Sequence, residues 1–161
     1  MVQIRKYIKT DRDKIWEILQ SIIKGGDAFA YSPTSTKEDM LNYWCSENKL
    51  TYVALINMEV VGTFFIQDNQ PGLGSHIANA GYAVSAKHAG KGIGKEMGLF
   101  SLIEARKLGY RAMQFNIVVK TNQRAIKLWQ DIGFKIIGEI PEAFQHKTLG
   151  LVGAYIMYQK L

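Results

Sequence analysis

The chain has 161 residues, 47% of them apolar and 21% charged. That is ordinary globular usage, so a disordered chain is excluded, and a length near 150 makes one domain over residues 1–161 the expectation. Lys and Arg number 20 against 14 Asp and Glu, a formal charge of +6 that points to an anionic partner.

The charge is uneven. Residues 1–68 hold 8 basic and 9 acidic side chains, and residues 69–95 hold Lys87, Lys91 and Lys95 with no acid. Residues 96–161 hold 9 basic and 5 acidic side chains, so the excess belongs to the second half. The single cysteine, Cys45, excludes an intrachain disulfide and fits a reducing compartment. The start, Met1-Val-Gln-Ile-Arg-Lys-Tyr, has charges where a signal peptide needs an apolar run. The longest charge-free stretch, Asn69–Ala86, is too polar to span a bilayer. The expectation is a soluble, cytoplasmic protein without a membrane partner.

In chain order, Val2, Ile4 and Tyr7-Ile8 predict a first strand. Thr10-Asp11 then caps a helix through Ile15, Ile18, Leu19, Ile22 and Ile23, stopped at Gly25-Gly26. A second helix opens near Ser35-Thr36, where Ser35 with Glu38, or Thr36 with Asp39, has capping-box spacing. Thr51–Ile56 and Val60–Gln67 read as a hairpin around Asn57-Met58-Glu59. A strand from about Ile77 to Ser85 leads into Ala89-Gly90-Lys91-Gly92-Ile93-Gly94. A helix follows, expected to bury Ile93, Met97, Phe100 and Ile103, with Arg106 and Lys107 in its last turn and Gly109 as stop. Met113, Phe115, Ile117 and Val119 alternate with Gln114, Asn116 and Val118, predicting a strand with one apolar face. Thr121-Asn122 starts a helix carrying Ala125, Leu128, Trp129 and Ile132, closed by Gly133. Phe134–Gly138 and Leu151–Tyr158 read as the last strands. The order implies an α/β layer fold, a mostly antiparallel sheet flanked by helices, with one parallel crossover after the glycine run.

The glycine run carries the strongest chemical signal. Glycines let the backbone turn tightly and let an anion approach the amide N–H groups. The helix start adds partial positive charge, and Lys87, Lys91 and Lys95 add full charges nearby. The spacing is not the Rossmann G-x-G-x-x-G, and the next strand ends Val118-Val119-Lys120 without an acid for the ribose. It is not a Walker loop either, because Gly94-Lys95 is followed by Glu96. NAD and ATP are therefore disfavoured.

With its flanks the loop resembles the GNAT superfamily of acetyl-CoA-dependent N-acetyltransferases. The matching residues run from Tyr82-Ala83-Val84 through Gly90-Lys91-Gly92-Ile93-Gly94-Lys95 and resume over Asn122-Gln-Arg-Ala125 to Trp129 and Gly133-Phe134. The resemblance implies that the loop from Ala89 to Lys95 binds the pyrophosphate of acetyl-CoA. It implies that Ala83 and Val84 pair with the pantetheine arm and that Asn122 lies near it. Two departures stand out: Ala89 where relatives often have Arg or Gln, and Trp129 where many have a Tyr that protonates the leaving thiolate. Indole is too weak an acid for that role, so Trp129 is expected to be a packed aromatic. Asn69–Tyr82 together with Ala112–Asn116 is similar to the branch that includes fungal acetyltransferases of azetidine-2-carboxylate and other proline analogues. That resemblance implies that Asn79 and Asn116 face a small amine or amino acid acceptor.

Acetyl transfer needs a neutral, well-placed amine and a stabilised oxyanion. The Val84 N–H is the expected oxyanion donor. Asn79 and Asn116 cannot be general bases, but paired donors and acceptors let them orient an acceptor. Scattered His76, His88 and His146 with one cysteine give no metal-ligand spacing, so no metal is expected. Tyr31, Tyr82 and Tyr155 are candidate acids whose safer reading is packing. Competing readings are acetylation of a protein N-terminus or lysine, which needs a longer groove, and a catalytically weak acyl-CoA-binding protein. A nucleic-acid module expects exposed aromatics between basic residues, whereas here the aromatics fall at core periodicity. Exposed sheet edges make a homodimer the expected partner state.

Overall fold

The computed structural model describes all 161 residues. The strands are β1 (Gln3–Lys6), β2 (Leu50–Ile56), β3 (Glu59–Asp68), β4 (Ile77–Val84), β5 (Ala112–Val119), β6 (Lys135–His146) and β7 (Gly150–Lys160). The helices are α1 (Arg12–Gly25), α2 (Lys37–Trp44), α3 (Ile93–Lys107) and α4 (Gln123–Asp131). All strands join one seven-stranded sheet in the order β1-β2-β3-β4-β5-β7-β6. Every neighbouring pair is antiparallel except β4 and β5, the one parallel crossover, made through α3. This is the expected flanked, mostly antiparallel α/β sheet.

Local chemistry explains the boundaries. A single turn at Lys9–Asp11 precedes α1, where the Asp11 carboxylate accepts from Ile8 N at 2.8 Å and from both Arg5 guanidinium nitrogens at 2.7 and 2.9 Å. Gly26 ends α1 in the left-handed region, at φ 65°. Of the two capping boxes that spacing allows at α2, the structure uses Thr36, whose hydroxyl accepts from Asp39 N at 3.1 Å. Asn57 and Met58 turn the β2–β3 hairpin with φ of 49° and 66°, the two-residue turn whose twist matches the strands.

Each sheet face buries its own cluster. On one face α1 and α2 pack Ile15, Leu19, Leu41 and Trp44 against Val53, Phe65 and Ala83. On the other, α3 and α4 pack Ile93, Met97, Ile126 and Trp129 against Phe64, Ala80, Phe115 and Met157. Cys45 closes α2 as a buried thiol, pushed up to about 11 by burial. No helix is long and apolar enough to cross a membrane. Ile136, Ile137 and Ile140 of the β6 edge strand are exposed, as are Leu149 and Leu151 at the β6–β7 tip.

Two packing expectations are corrected. Ile103 is 50% exposed; α3 instead buries Gly98, Ser101, Leu102 and Ala105 beside Ile93 and Met97. Small residues face inward because α4 lies close: a Cβ on Gly98 would stand 2.8 Å from Ile132 and 3.1 Å from Trp129. In β5 the alternation breaks after Phe115. The register against β7 slips between Phe115 and Val118, so Asn116 and Ile117 bulge outward and Val118 turns in. The last strands also run longer than their hydrophobic cores, with β6 reaching His146.

Candidate active site

Strands β4 and β5 pair only at Ile77 with Ala112 and Ala78 with Met113, and then separate. The result is a fork in the middle of the sheet. Ser85 N donates to Val61 O, which fixes the alternation of the β3–β4 ladder. Val84 and Tyr82, out of phase with that bond, turn their backbone N–H and C=O away from β3 and into the fork.

A cleft of about 850 Å³ fills the fork. Ala86, His88 and the glycine loop wall one end, joined by Asn122, Arg124 and Leu128 from the start of α4. Ser21, Ile22, Asp27 and Phe29, from α1 and the segment after it, wall the other. Phe115, Ile117, Val118 and Trp129 line the middle.

The loop end is built from backbone. Gly90 and Gly92 have φ of 82° and 80°, the left-handed region that glycine adopts without penalty. The first intrahelical bond of α3 runs from Glu96 N to Gly92 O, and no side chain caps the helix. The N–H groups of Ile93, Gly94 and Lys95 are therefore left to a ligand. A Cβ added at Gly92 would meet nothing within 4 Å, so the space before these donors is open. Open amides, a helix start and Lys95 fit the pyrophosphate of a CoA thioester.

Of the residues expected at the cofactor, Val84, Ala89, Gly90, Gly92, Ile93, Gly94, Lys95 and Asn122 line the cleft. Lys87 and Lys91 do not: both side chains are exposed away from it. Nor does Ala83: its side chain is 2% exposed in the α1–α2 cluster, and its N–H and C=O, in phase with Ser85, face β3 and not the fork. Asn122 caps α4, its Oδ1 accepting from Ala125 N at 3.1 Å, which leaves its Nδ2 without a protein partner.

Asn79 and Asn116 lie outside these walls, near the root of the fork. Asn79 Nδ2 donates to Gln114 O at 2.9 Å, bridging the strands where ladder pairing stops, and its Oδ1 accepts from Gln67 at 3.3 Å. Asn116 Nδ2 donates to Asn69 Oδ1 at 2.8 Å and its Oδ1 accepts from Gln114 Nε2 at 2.9 Å. Two groups of carboxamides, Gln67 with Asn79 and Gln114 with Asn116 and Asn69, are thus joined through the Gln114 backbone carbonyl.

The aromatic candidates are packed. Burial pushes the Tyr82 phenol far above its ordinary range, and its hydroxyl sits 2.6 Å from Ser101 Oγ. Burial pushes Tyr31 up as well, beside Phe29 and Tyr43. Trp129 is 9% exposed and packs on Tyr82 and Phe115, with ring centroids 4.7 and 4.8 Å away. The structure holds no group of three or more His, Cys, Asp or Glu side chains arranged to hold a metal ion.

The profile of the acetyltransferase (GNAT) family matches residues 13–134, which include the fork, the glycine loop and α4. The chain belongs to the GNAT acetyltransferase family. A GCN5-related N-acetyltransferase from Kribbella flavida is 36% identical, with a TM-score of 0.96 over 99% of this chain and 98% of that one. N-acetyltransferase aca1 of Schizosaccharomyces pombe is 40% identical over 98 residues, 60% of this chain and 47% of the yeast protein. The chain therefore spans about half the length of that curated relative. A GNAT superfamily phosphinothricin acetyltransferase from Sinorhizobium meliloti, solved in complex with AcCoA, shares the fold at 20% identity, with a TM-score of 0.88 over 99% of this chain and 88% of that one.

Two features of this GNAT site escaped the sequence. Arg124 lies over the loop, and only its position two residues into the α4 motif hinted at it. The β6–β7 tip also reaches α1. Lys147 N donates to Gly26 O at 3.1 Å, and Lys147 Nζ donates to Lys24 O at 3.2 Å. No local pattern signals a contact between residues 123 apart.

Proposed function

We propose that this chain is an N-acetyltransferase that moves the acetyl group of acetyl-CoA to the amine of a small molecule, an amino acid or proline analogue. The observation that carries the reading is the fork itself, with unpaired backbone donors at Val84 and at the start of α3 facing one cleft. Bound acetyl-CoA supplies an activated acyl carbonyl. The N–H groups of Ile93, Gly94 and Lys95 hold its phosphates, and Tyr82 and Val84 offer backbone to its extended arm. The Val84 N–H donates to the oxyanion that develops during attack.

The acceptor enters from the α1 end, since the loop end is committed to phosphate. There the β6–β7 tip is tied to Gly26 and Lys24, which supports a short acceptor over a protein N-terminus or lysine side chain. Asp27 lines that end and has no ion-pair partner, so it draws an ammonium group inward. The carboxamides of Asn79 and Asn116 orient the acceptor through the donor each has left. Catalysis is by positioning, with the proton passing to water.

Trp129 and the tied Tyr82 hydroxyl favour a second reading, an acyl-CoA-binding protein with weak turnover. One screen separates the two. Thiol release from acetyl-CoA is followed over a library of small amines that includes proline analogues, with short peptides alongside. Release with one amine class supports the transferase. Tight CoA binding without release from any amine supports the second reading, and release only with peptides overturns the small acceptor.

A further inference from the structure

We propose that Arg124 supplies the side-chain cation of the pyrophosphate cradle, in place of the long side chain that Ala89 lacks. The inference rests on the acetyl-CoA reading above and concerns how this chain holds the phosphates.

The first position of the loop, Ala89, lines the cleft with a methyl group that cannot pair with an anion. Four cationic or imidazole side chains remain on the cleft wall: His88, Lys95, Arg124 and Lys127. Lys127 is held by Asp131 at 3.1 Å. Lys95 and Arg124 have no carboxylate within ion-pair distance, and the Arg124 guanidinium donates to no protein acceptor. An unpaired guanidinium against a cleft wall leaves its donors for a ligand or water.

Its position is specific. Arg124 Nη2 lies 3.5 Å from the point that a Cβ on Gly90 would occupy, so the side chain rests against the bare backbone of the loop. Asn122 fixes the start of α4 through its cap, which sets where Arg124 emerges. The two walls are complementary. From α3 come the open N–H groups of Ile93, Gly94 and Lys95; from α4 comes a planar guanidinium. A guanidinium matches two phosphate oxygens at once, which an ammonium on a flexible stem does not. Of the three lysines that the sequence places at the loop, Lys95 lines the cleft, whereas Lys87 and Lys91 are exposed and do not.

The test is isothermal titration of wild type, Arg124→Ala, Arg124→Lys and Lys91→Ala with CoA and with 3′-dephospho-CoA, which keeps only the pyrophosphate. Arg124→Ala should weaken both ligands equally, by about tenfold to a hundredfold, the worth of hydrogen bonds to a charged group. Arg124→Lys should recover part of the loss, and Lys91→Ala should stay within about twofold, as expected for an exposed charge. In turnover the Ala variant should raise KM for acetyl-CoA and leave kcat unchanged. The ligand-free melting temperature should not move, because the side chain is exposed and unpaired. Wild-type affinity in Arg124→Ala overturns the assignment, as does a loss seen with CoA and absent with 3′-dephospho-CoA, which would move the contact to the 3′-phosphate. Failure of the wild type itself to bind CoA overturns the cofactor reading and the assignment with it.

Discussion

The glycine-loop end of the cleft and the root of the fork beside it are built on opposite principles. At the glycine loop the ligand-facing groups are backbone amides without protein partners, held open by two left-handed glycines and an uncapped helix start. At the root of the fork the polar groups are side-chain carboxamides that already bond one another. The first end offers backbone donors of the kind that suit an anion. The second is a partly exposed set of side chains that bond to one another and to the Gln114 backbone, so it can present spare donors in fixed directions. Under the proposed function, anion binding rests on backbone conformation and acceptor placement on a side-chain network that spans three strands.

The largest effect should come from breaking the backbone end. Gly92→Val puts a β-branched residue at φ 80° and a side chain into the open space before the amides. CoA affinity should fall by at least about a hundredfold, while the strain itself costs only about 1–2 kcal/mol and leaves the fold intact. Calorimetry beside circular dichroism checks both, and a folded variant with unchanged affinity would contradict the cradle. Next is the side-chain end. Asn79→Ala removes the bridge to Gln114 and should lower turnover about tenfold, with CoA affinity within about twofold. Equal losses in both would merge the two ends and defeat the comparison.

A smaller effect is expected at the tether between them. Gly26→Ala would set a Cβ 2.9 Å from Lys147 Cβ and strain a left-handed cap, loosening the β6–β7 tip. The kcat/KM for the small amine should drop about threefold while longer amines gain, a shift of under 1 kcal/mol. No change in acceptor-length preference would detach the tip from specificity.

Asp11→Asn should affect neither end. The Arg5 guanidinium holds the Asp11 carboxyl below its ordinary value, with a backbone bond from Ile8 adding to it. A lowered native value means that the stabilisation is complete above an unfolded carboxyl near 4 and is lost as the pH falls through the lower native value. The Asn variant should lose about 1–3 kcal/mol at neutral pH and show a shallower acid limb, with turnover unchanged. Denaturant titration from pH 7 to pH 3 measures it; an unchanged acid limb would remove Asp11 from the pH dependence.

Legibility in the sequence followed the range of the interaction. The α2 cap, narrowed by spacing to Ser35 or Thr36, the hairpin around Asn57-Met58-Glu59 and the glycine loop are local, so residue type and spacing locate each of them, and the structure picks Thr36 and a two-residue turn. The α3 stripe departs from large apolar spacing at Ile103, because the close approach of α4 demands Gly98, and Ser101 and Ala105 are buried on the same helix. The β5 alternation failed at Asn116 and Ile117, because a bulge is set by pairing with β7 and leaves no periodic mark in β5 itself.

Charge shows the same division. The sequence by itself determined the mixed sheet, the parallel crossover and a backbone anion site, since those depend on propensities and spacings within a few residues. It also placed the basic excess in the half that carries the loop. Only the tertiary structure decided which cation faces the cleft. Lys91, inside the loop, is not on the cleft wall, Lys95 is, and Arg124 arrives from α4 to lie against Gly90. The reason is geometric: neighbours along a left-handed turn splay apart, and a helix packed on bare glycine brings a distant side chain to the same point.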